Sequence, residues 1–322
     1  RSPGRWCAAG WRGSSAVADK ASRPDEVRAA LARVGYIADD GLAAALWLAD
    51  ALQRPLLVEG DAGVGKTSMA SAWAQLHGRR LIRLQCYEGL DLEHAAYEWN
   101  YSRQLLEIRL RETGGQSMAA ADLFDRSFLL ERPLLAAIAS PEPCVLLIDE
   151  IDRADEAFEA FLLEVLSEYQ LSIPELGTVR AASVPTVLLT SNGTRDLSDA
   201  LRRRCLYHFL DYPDAARETA IVRAAVPQAD ARLAAEAVAF VQRLRREDLE
   251  KVPGVAETLD WVRALHRMDL RGLPQDGAQL LPTLACLLKT RADRFQFGAE
   301  EIARLGGTPV GVAMPLKAGG PA

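Results

Sequence analysis

Residues 55–67 read Pro-Leu-Leu-Val-Glu-Gly-Asp-Ala-Gly-Val-Gly-Lys-Thr, a short apolar run followed by the pattern Gly-x-x-x-x-Gly-Lys-Thr. This spacing is typical of a phosphate-binding loop between a strand and a helix. The glycines let backbone N–H groups converge on phosphate oxygens, the lysine reaches the β and γ phosphates, and the threonine hydroxyl coordinates Mg²⁺. The flanking segments agree, because Leu56–Glu59 reads as a buried strand and Ser68–Leu76 as a helix. The sequence therefore predicts binding of ATP or GTP.

The predicted nucleotide contacts extend to a segment upstream of this loop. Residues 34–37 read Val-Gly-Tyr-Ile, and their side chains can either contact the base or belong to the core. ATP is favoured over GTP because the chain lacks an Asn/Thr-Lys-x-Asp tetrapeptide for guanine recognition. The predicted nucleotide-binding residues are Gly60, Asp61, Ala62, Gly63, Val64, Gly65, Lys66, Thr67, Ser68, Tyr36 and Ile37.

A second apolar run, Val145–Ile148, ends in the carboxylates Asp149 and Glu150. Downstream of a phosphate loop, two such carboxylates can have separate roles. Asp149 and Thr67 are expected to hold Mg²⁺, and Glu150 is expected to polarise the attacking water. We expect the acidic residues that follow to form a solvated helix face near a helix N-terminus. They are Asp152, Asp155, Glu156 and Glu159.

Polar groups further along the chain can reach a γ-phosphate. Asn192 follows the predicted strand Thr186–Thr190, and its amide can contact the γ-phosphate and the lytic water, although Ser-Asn-Gly is also an ordinary turn tripeptide. Arg202, Arg203 and Arg204 precede the next strand. A guanidinium here can stabilise transition-state charge in a neighbouring subunit, a role we assign to Arg203 or Arg204 before Arg202. The alternative is a salt-bridge cluster or a surface for an acidic partner.

The net charge, the cysteines, the histidines and the apolar runs argue against several classes of function. The formal net charge of −6 over 322 residues argues against a dedicated nucleic-acid surface. The five cysteines form no Cys-x-x-Cys pair, which is typical of reduced thiols in a cytoplasmic protein. The four histidines lack metal-ligand spacing, so a transition-metal site is not expected. No apolar run has the length of a membrane span, and no secretory signal is recognisable.

The chain divides into an α/β part and an all-helical part, separated near Pro213. The first residues lack Met and any periodicity, so they read as a disordered or artefactual extension. The predicted units are the extension (1–22), a nucleotide-binding domain (23–213) with an insert (86–135) and a hairpin (170–185), a helical lid (214–305) and a flexible tail (306–322).

The order of phosphate loop, paired carboxylates, hairpin, asparagine, arginines and helical region resembles the AAA+ ATPases. This resemblance implies an αβα sandwich with a parallel sheet and a C-terminal helical lid. Within these proteins, Asp149–Ala154 and the segment from Arg204 to Tyr212-Pro213 are similar to the MoxR family. Residues 85–91, 97–101 and 257–261 resemble the branch associated with maturation of carbon monoxide dehydrogenase and other molybdenum hydroxylases.

The resemblance implies a hexameric ring that uses Mg-ATP to remodel a client protein, together with a von Willebrand A-domain partner.

This chain departs from the family's pattern in the lid, where the family often carries a Ser-Pro-Arg-like motif with a sensor arginine. This chain has Ala256-Glu257-Thr258 there, which leaves Arg263 as the nearest candidate. Two other functions stay open: a nucleic-acid-dependent motor or loader, and a nucleotide-gated scaffold with little turnover.

Aromatic residues in the predicted insert offer a contact surface for a partner. They are Tyr97, Trp99 and Tyr101. The alternative is that these rings pack the insert onto the core.

Overall fold

The computed structural model describes residues 23–114 and 120–307. The expected extension, and residues 308–322 of the expected tail, lie outside these ranges. The strands are β1 (Leu56–Glu59), β2 (Arg80–Gln85), β3 (Tyr97–Trp99), β4 (Leu129–Glu131), β5 (Cys144–Asp149), β6 (Gln170–Ile173), β7 (Gly177–Arg180), β8 (Thr186–Ser191) and β9 (Leu206–Phe209).

Helices surround the strands in the first part of the described chain and make up its last part. The first group is α1 (Pro24–Arg33), α2 (Asp40–Leu52), α3 (Lys66–Leu76), α4 (Leu92–Ala95), α5 (Tyr101–Thr113), α6 (Pro133–Ile138), α7 (Glu156–Glu168) and α8 (Asp199–Arg204). The second group is α9 (Ala215–Ala225), α10 (Ala231–Leu244), α11 (Val255–Arg267), α12 (Gly277–Leu280), α13 (Arg291–Gln296) and α14 (Ala299–Gly306).

Five parallel strands form the central sheet in the order β2-β5-β8-β1-β9. Every residue of β5 and β8 is buried, as expected for parallel strands covered on both faces. Leu146 and Ile148 face one apolar cluster, whereas Val145 and Leu147 face another. The carboxyl ends of β1, β5 and β8 meet at one edge of the sheet, which is where open α/β sheets bind ligands.

Two smaller pairings lie outside this sheet. Strands β3 and β4 pair antiparallel and enclose α5 within the predicted insert. Strands β6 and β7 pair antiparallel before β8, with Leu171 opposite Val179. The C-terminal helices have their own apolar cluster, in which the rings of Phe240 and Trp261 lie 4.9 Å apart.

Several element boundaries differ from the sequence prediction: β5 extends to Cys144 and Asp149, and β8 extends to Ser191. Helix α3 begins at Lys66 rather than Ser68, because Gly65 adopts a left-handed φ of 102° and caps the helix directly. Strand β9 begins at Leu206, whereas the apolar pattern predicts a strand over Cys205–Leu210, because the Cys205 N–H donates to the carbonyl of Leu201 and closes α8. Across residues 23–114 and 120–307, no helix combines the length and apolarity needed to cross a membrane.

Candidate nucleotide-binding site

The predicted phosphate loop connects the end of β1 to the start of α3. Gly63 and Gly65 have φ angles of 80° and 102°, a backbone conformation that favours glycine. Gly60 must also be a glycine, because a Cβ there would lie 2.2 Å from the carbonyl oxygen of Leu210. The loop therefore ends at the amino terminus of α3, where the helix presents free N–H groups.

Lys66 is buried inside this loop, with 7% of its surface exposed. Its Nζ donates to the carbonyl oxygens of Gly60 at 2.6 Å and Asp61 at 2.8 Å, and to Oδ1 of Asn192 at 2.8 Å. Burial lowers the pKa of Lys66, and nearby carboxylates, with Asp152 the strongest, oppose that shift. The predicted lysine and asparagine thus meet at the edge where β1 and β8 end.

Asp149 and Thr67 also lie together, as the predicted magnesium site requires. The Thr67 hydroxyl donates to the Asp149 carboxylate at 3.1 Å from Oδ2 and 3.3 Å from Oδ1. Thr190, on the neighbouring strand, donates to Oδ1. Arg83 on β2 donates to Oδ2 from Nε at 3.0 Å and from Nη2 at 2.5 Å. Sequence reasoning did not identify Arg83 or Thr190.

Glu150 has a left-handed backbone, with φ of 56°. Its N–H donates to the Thr190 hydroxyl at 2.9 Å. Its side chain is partly exposed and its Oε2 lies 2.7 Å from Nε of Arg153. A non-glycine residue in this region is costly, and such residues cluster at functional sites. Asp149 contacts Thr67 whereas Glu150 contacts Arg153, so the two neighbouring carboxylates have different surroundings.

The expected solvated acidic face is wrong for two of its residues. Asp152 is buried and accepts from the N–H and hydroxyl of Thr194 at 3.0 and 2.6 Å. Burial would raise the pKa of Asp152, but these hydrogen bonds lower it. Glu159 is buried against Arg195 and accepts from the Ser198 N–H at 2.9 Å. Asp152, in the turn before α7, and Glu159, in α7 itself, both contact the loop that follows β8, which helix periodicity does not reveal.

The other two residues of that acidic run are exposed. Asp155 caps α7 by accepting from the Phe158 N–H at 2.8 Å. Glu156 lies in the first turn of the same helix, where a carboxylate complements the helix dipole. For these two residues the expected role agrees with the structure.

A cavity of about 260 Å³ opens beside the phosphate loop. Tyr36 and Ile37 both line it, together with Val64 and Ser68 of the loop segment. A Cβ at Gly65 would lie 4.0 Å from the Tyr36 ring, so this ring borders the loop directly. Burial raises the pKa of Tyr36, so its hydroxyl stays protonated at neutral pH.

The first turn of α11 closes another side of this cavity. The Val255 N–H donates to the Gly63 carbonyl at 3.0 Å, and Val255 and Leu259 line the cavity. Gly254 packs so closely on the loop that a Cβ there would lie 2.8 Å from Cα of Gly63. The C-terminal helices therefore contact the phosphate loop through two glycines.

Arg217 of α9 is a cation that lines the cavity and that sequence reasoning missed. Its guanidinium pairs with Asp39, which also accepts from the Leu42 N–H at 2.7 Å. Burial would raise the pKa of Asp39, but the Leu42 N–H and Arg217 lower it. The pair joins the segment before α2 to the first helix of the C-terminal region.

Arg203 and Arg204 are exposed at the opposite edge of the sheet. The Leu206 N–H donates to the Pro55 carbonyl at 2.8 Å, so β9 starts beside the start of β1. Arg54 donates from Nη2 to the carbonyls of Arg203 at 2.9 Å and Arg204 at 3.1 Å. A four-residue strand spans about 13 Å, and the phosphate loop follows its other end. Neither arginine belongs to the site that the chain forms with its own loop.

The two remaining arginine candidates pair with carboxylates of this chain. Nη2 of Arg202 lies 3.7 Å from Oε2 of Glu59. Arg263 is exposed and its Nη1 lies 3.0 Å from Oδ1 of Asp260. Arg263 does not line the cavity beside the loop. The arrangement gives no support to Arg263 as a sensor of the γ-phosphate.

The aromatic residues of the predicted insert differ in how far they are buried. Trp99 is buried and its ring makes an edge contact with Phe124 at 5.3 Å. Tyr101, at the start of α5, is 60% exposed. Tyr97 is partly buried against the core. The packing alternative therefore holds for Trp99, whereas Tyr101 is available for contact.

Comparisons with known proteins agree with this architecture. Residues 55–205 match the AAA domain of the dynein-related subfamily. The gas vesicle ATPase GvpN2 of Halobacterium salinarum is 29% identical over 217 residues, which are 65% of this chain and 60% of that protein. The gas vesicle ATPase GvpN of Haloferax mediterranei is 26% identical over 201 residues, 60% of this chain and 56% of that protein. The chain spans less than two thirds of the length of these two relatives.

Among solved structures, a mutant of Thermotoga maritima RuvB has a TM-score of 0.46 at 16% identity, covering 76% of this chain and 67% of that one. The Thermotoga maritima RuvB Holliday junction branch migration motor has a TM-score of 0.42 at 15% identity, covering 76% and 66%. The five-stranded parallel sheet, the phosphate loop at its edge and the helical C-terminal region identify the fold as that of the P-loop AAA+ ATPases, in agreement with the match of residues 55–205 to an AAA domain.

Proposed function

We propose that this chain hydrolyses Mg-ATP and uses the energy to remodel a partner protein. The proposal rests on two pairs of contacting side chains that lie together at one edge of the sheet. Lys66 contacts Asn192, and Thr67 contacts Asp149. These pairs combine the residue types that bind phosphates, position water and hold a metal in P-loop ATPases.

The residues around Asp149 fit Mg²⁺. The Thr67 hydroxyl and the Asp149 carboxylate are hard oxygen donors, and they lie within 3.3 Å of each other. When bound there, Mg²⁺ would offset the negative charge of the phosphates. The buried ammonium of Lys66 would bind the phosphate oxygens in place of its present backbone acceptors.

Glu150 is the proposed general base. It is the carboxylate next to Asp149 that stays partly exposed, so it can accept a proton from a water molecule. Asn192 orients that water, because its amide lies beside Lys66 at the end of β8. The cavity lined by Tyr36 and Ile37 would receive the adenine base, since most of its lining residues are apolar.

Arg203 and Arg204 would act in a neighbouring subunit of a ring, which we propose to be a hexamer. Both are exposed and distant from the chain's own phosphate loop, so a second copy can reach them. A guanidinium placed against a neighbour's γ-phosphate stabilises charge that develops in the transition state. The ring would therefore share each active site between two subunits.

The proposed partner is a protein, bound through the insert and the β6–β7 hairpin. Helix α5 exposes Leu105, Leu106 and Leu110, each 59% exposed, and the hairpin turn exposes Leu176. Exposed apolar side chains of this kind mark contact surfaces. The resemblance to MoxR proteins favours a metalloenzyme client, such as a molybdenum hydroxylase, and a von Willebrand A-domain partner in the cytoplasm.

The relatives of this chain suggest a second candidate client. Two proteins named gas vesicle ATPases match it at 29% and 26% identity. The same ATP-driven remodelling could therefore serve assembly of a gas vesicle protein. Pull-downs with the two client types separate these candidates.

A phosphate-release assay with ATP and GTP tests the proposed activity. We expect turnover with ATP that Lys66→Ala removes. Binding without turnover would instead support a nucleotide-gated scaffold, and stimulation by DNA would support a nucleic-acid motor.

Client binding is tested by a pull-down with the double variant Glu175→Ala/Leu176→Ala, which should retain basal hydrolysis and lose the client. Trp99→Ala is the contrasting variant, because this ring is buried and its loss should lower stability.

A further inference from the structure

The guanidinium of Arg83 donates two hydrogen bonds to Asp149, the carboxylate that is predicted to hold the metal. Its Nε and Nη2 lie 3.0 and 2.5 Å from Oδ2 of Asp149. Asp149 is 3% exposed, whereas the side chain of Arg83 is 50% exposed. A buried carboxylate is costly unless a positive charge and hydrogen bonds compensate it. Arg83 is the cation whose guanidinium contacts this carboxylate directly.

The carboxylate of Asp149 has no acceptor capacity left. An ionised carboxylate offers about four lone-pair sites. Thr67 supplies one hydroxyl proton, which lies between the two oxygens, Thr190 donates one to Oδ1, and Arg83 donates two to Oδ2, so four donors meet the four sites. A cation or a cation-bound water that approaches Asp149 must therefore replace one of these donors.

Arg83 is the donor that can leave. Thr190 is fully buried on β8, and Thr67 belongs to the first turn of α3 beside the phosphate loop. The guanidinium of Arg83 reaches solvent and has a second acceptor, because its Nη2 lies 2.5 Å from Oε1 of Gln85 on the same strand. It can move away from Asp149 without losing all its hydrogen bonds.

We propose that Arg83 is the exchangeable counterion of Asp149 and competes with the divalent cation for this carboxylate. The inference rests on the proposed function for the identity of the site. Without the metal, Arg83 neutralises the buried charge. As the metal binds, the guanidinium leaves Oδ2 and stays with Gln85. Arg83 thus weakens metal binding to the nucleotide-free protein.

The test compares Mn²⁺ binding to the nucleotide-free wild type and to Arg83→Gln, measured from the electron paramagnetic resonance signal of free Mn²⁺. An ion pair of this exposure contributes about 1 kcal/mol, which corresponds to roughly a five-fold change in affinity. We expect the dissociation constant for Mn²⁺ to fall about five-fold in Arg83→Gln. Arg80→Gln is the matched control, because Arg80 is an exposed arginine of the same strand, and it should leave the constant unchanged.

Two further variants sharpen the result. Adding Asp149→Asn to Arg83→Gln should remove the gain in Mn²⁺ affinity, because the competed carboxylate is gone. Arg83→Lys keeps the positive charge but cannot donate both hydrogen bonds to Oδ2 of Asp149. This variant should therefore bind Mn²⁺ about two-fold more tightly than the wild type. This variant decides the question if Arg83→Gln does not fold, as judged by circular dichroism.

Equal or weaker Mn²⁺ binding in the folded variants would overturn the proposal, as would no binding by wild type and variants alike. Weaker binding would mean that Arg83 holds Asp149 in place for the metal. Titration with a fluorescent ATP analogue tests the proposed function separately. A wild type that binds Mn²⁺ but no nucleotide would contradict that function and leave the comparison of Arg83 variants intact.

Discussion

Nζ of Lys66 lies 2.8 Å from Oδ1 of Asn192, although 126 positions separate the two residues in the chain. The contact joins the phosphate loop after β1 to the end of β8, because these strands are neighbours in the sheet. The cation proposed to bind phosphate and the amide proposed to orient water are therefore in direct contact.

Lys66→Ala should abolish nucleotide binding, because it removes the positive charge that we propose binds the phosphates. Asn192→Ala should retain binding and lower the turnover rate about 10²-fold, as loss of a positioned polar group does in other enzymes. Nucleotide titration and phosphate release measure the two effects. Asn100→Ala is the control, because this residue caps α5 away from the site. Near-normal turnover of Asn192→Ala would assign the asparagine to turn structure.

Glu150→Gln should bind ATP normally and stop hydrolysis, because an amide cannot take a proton from water. The substitution keeps the size of the side chain and its ability to meet Arg153. Single-turnover and steady-state phosphate release measure the loss. Glu156→Gln, on the exposed start of α7, serves as the control and should hydrolyse ATP at the wild-type rate. Hydrolysis by Glu150→Gln at a rate near wild type would exclude this residue as the base.

The double variant Arg203→Ala/Arg204→Ala should reduce turnover far more than ATP affinity, by about 10³–10⁵ for an arginine that acts on the transition state. Mixing it with Glu150→Gln protein should restore some activity, because some mixed interfaces pair an intact Glu150 with intact arginines. Arg223→Ala, an exposed arginine of α9, is the control. No recovery in rings shown to be mixed would argue against action between subunits.

Gly254→Ala should weaken nucleotide binding, because the added Cβ would lie 2.8 Å from Cα of Gly63 and 2.9 Å from its carbonyl oxygen. Neither backbone atom can yield easily, so α11 must shift away from the phosphate loop. Overpacking of this kind costs about 1–3 kcal/mol. Gly306→Ala is the control, because a Cβ there meets no atom within 4 Å. Unchanged affinity and melting temperature in Gly254→Ala would show that the close contact is not maintained in solution.

Stability should fall in acid partly through Asp50, whose Oδ1 lies 2.9 Å from Nη1 of Arg79 and 3.2 Å from the Thr186 hydroxyl. Burial would raise the pKa of Asp50, but Arg79 and Thr186 lower it. The folded pKa is thus below the unfolded value of about 3.9. The contribution is present above that value and is lost as the pH falls through the folded pKa.

Asp50→Asn should therefore lower the free energy of unfolding by about 1–2 kcal/mol at neutral pH and by less in acid. Urea denaturation at both pH values measures this difference. Asp40→Asn is the control, because its pair with Arg28 is exposed and should contribute little. An equal loss for Asp50→Asn at both pH values would contradict the assigned ion pair.

Local patterns in the sequence predict much of this structure. The phosphate loop, the apolar run before Asp149 and the hairpin before β8 each depend on residues close together in the chain. Their backbone is set by glycine conformations, by burial of aliphatic runs and by short turns, all of which are readable locally. The parallel sheet follows as well, because helices separate its strands. The roles assigned to the site residues remain predictions.

Tertiary structure alone decided which distant side chains share a surface. Strand order places Arg83 beside Asp149, and the approach of α11 sets Gly254 against Gly63. Asp152 has the sequence context of an exposed helix start, yet Thr194 from the loop after β8 covers it. Such contacts join segments far apart in the chain, and no local periodicity encodes them. The sequence by itself thus determined the loop chemistry and the strands that carry it, whereas packing between strands and helices decided the counterion of Asp149 and the closure of the cavity.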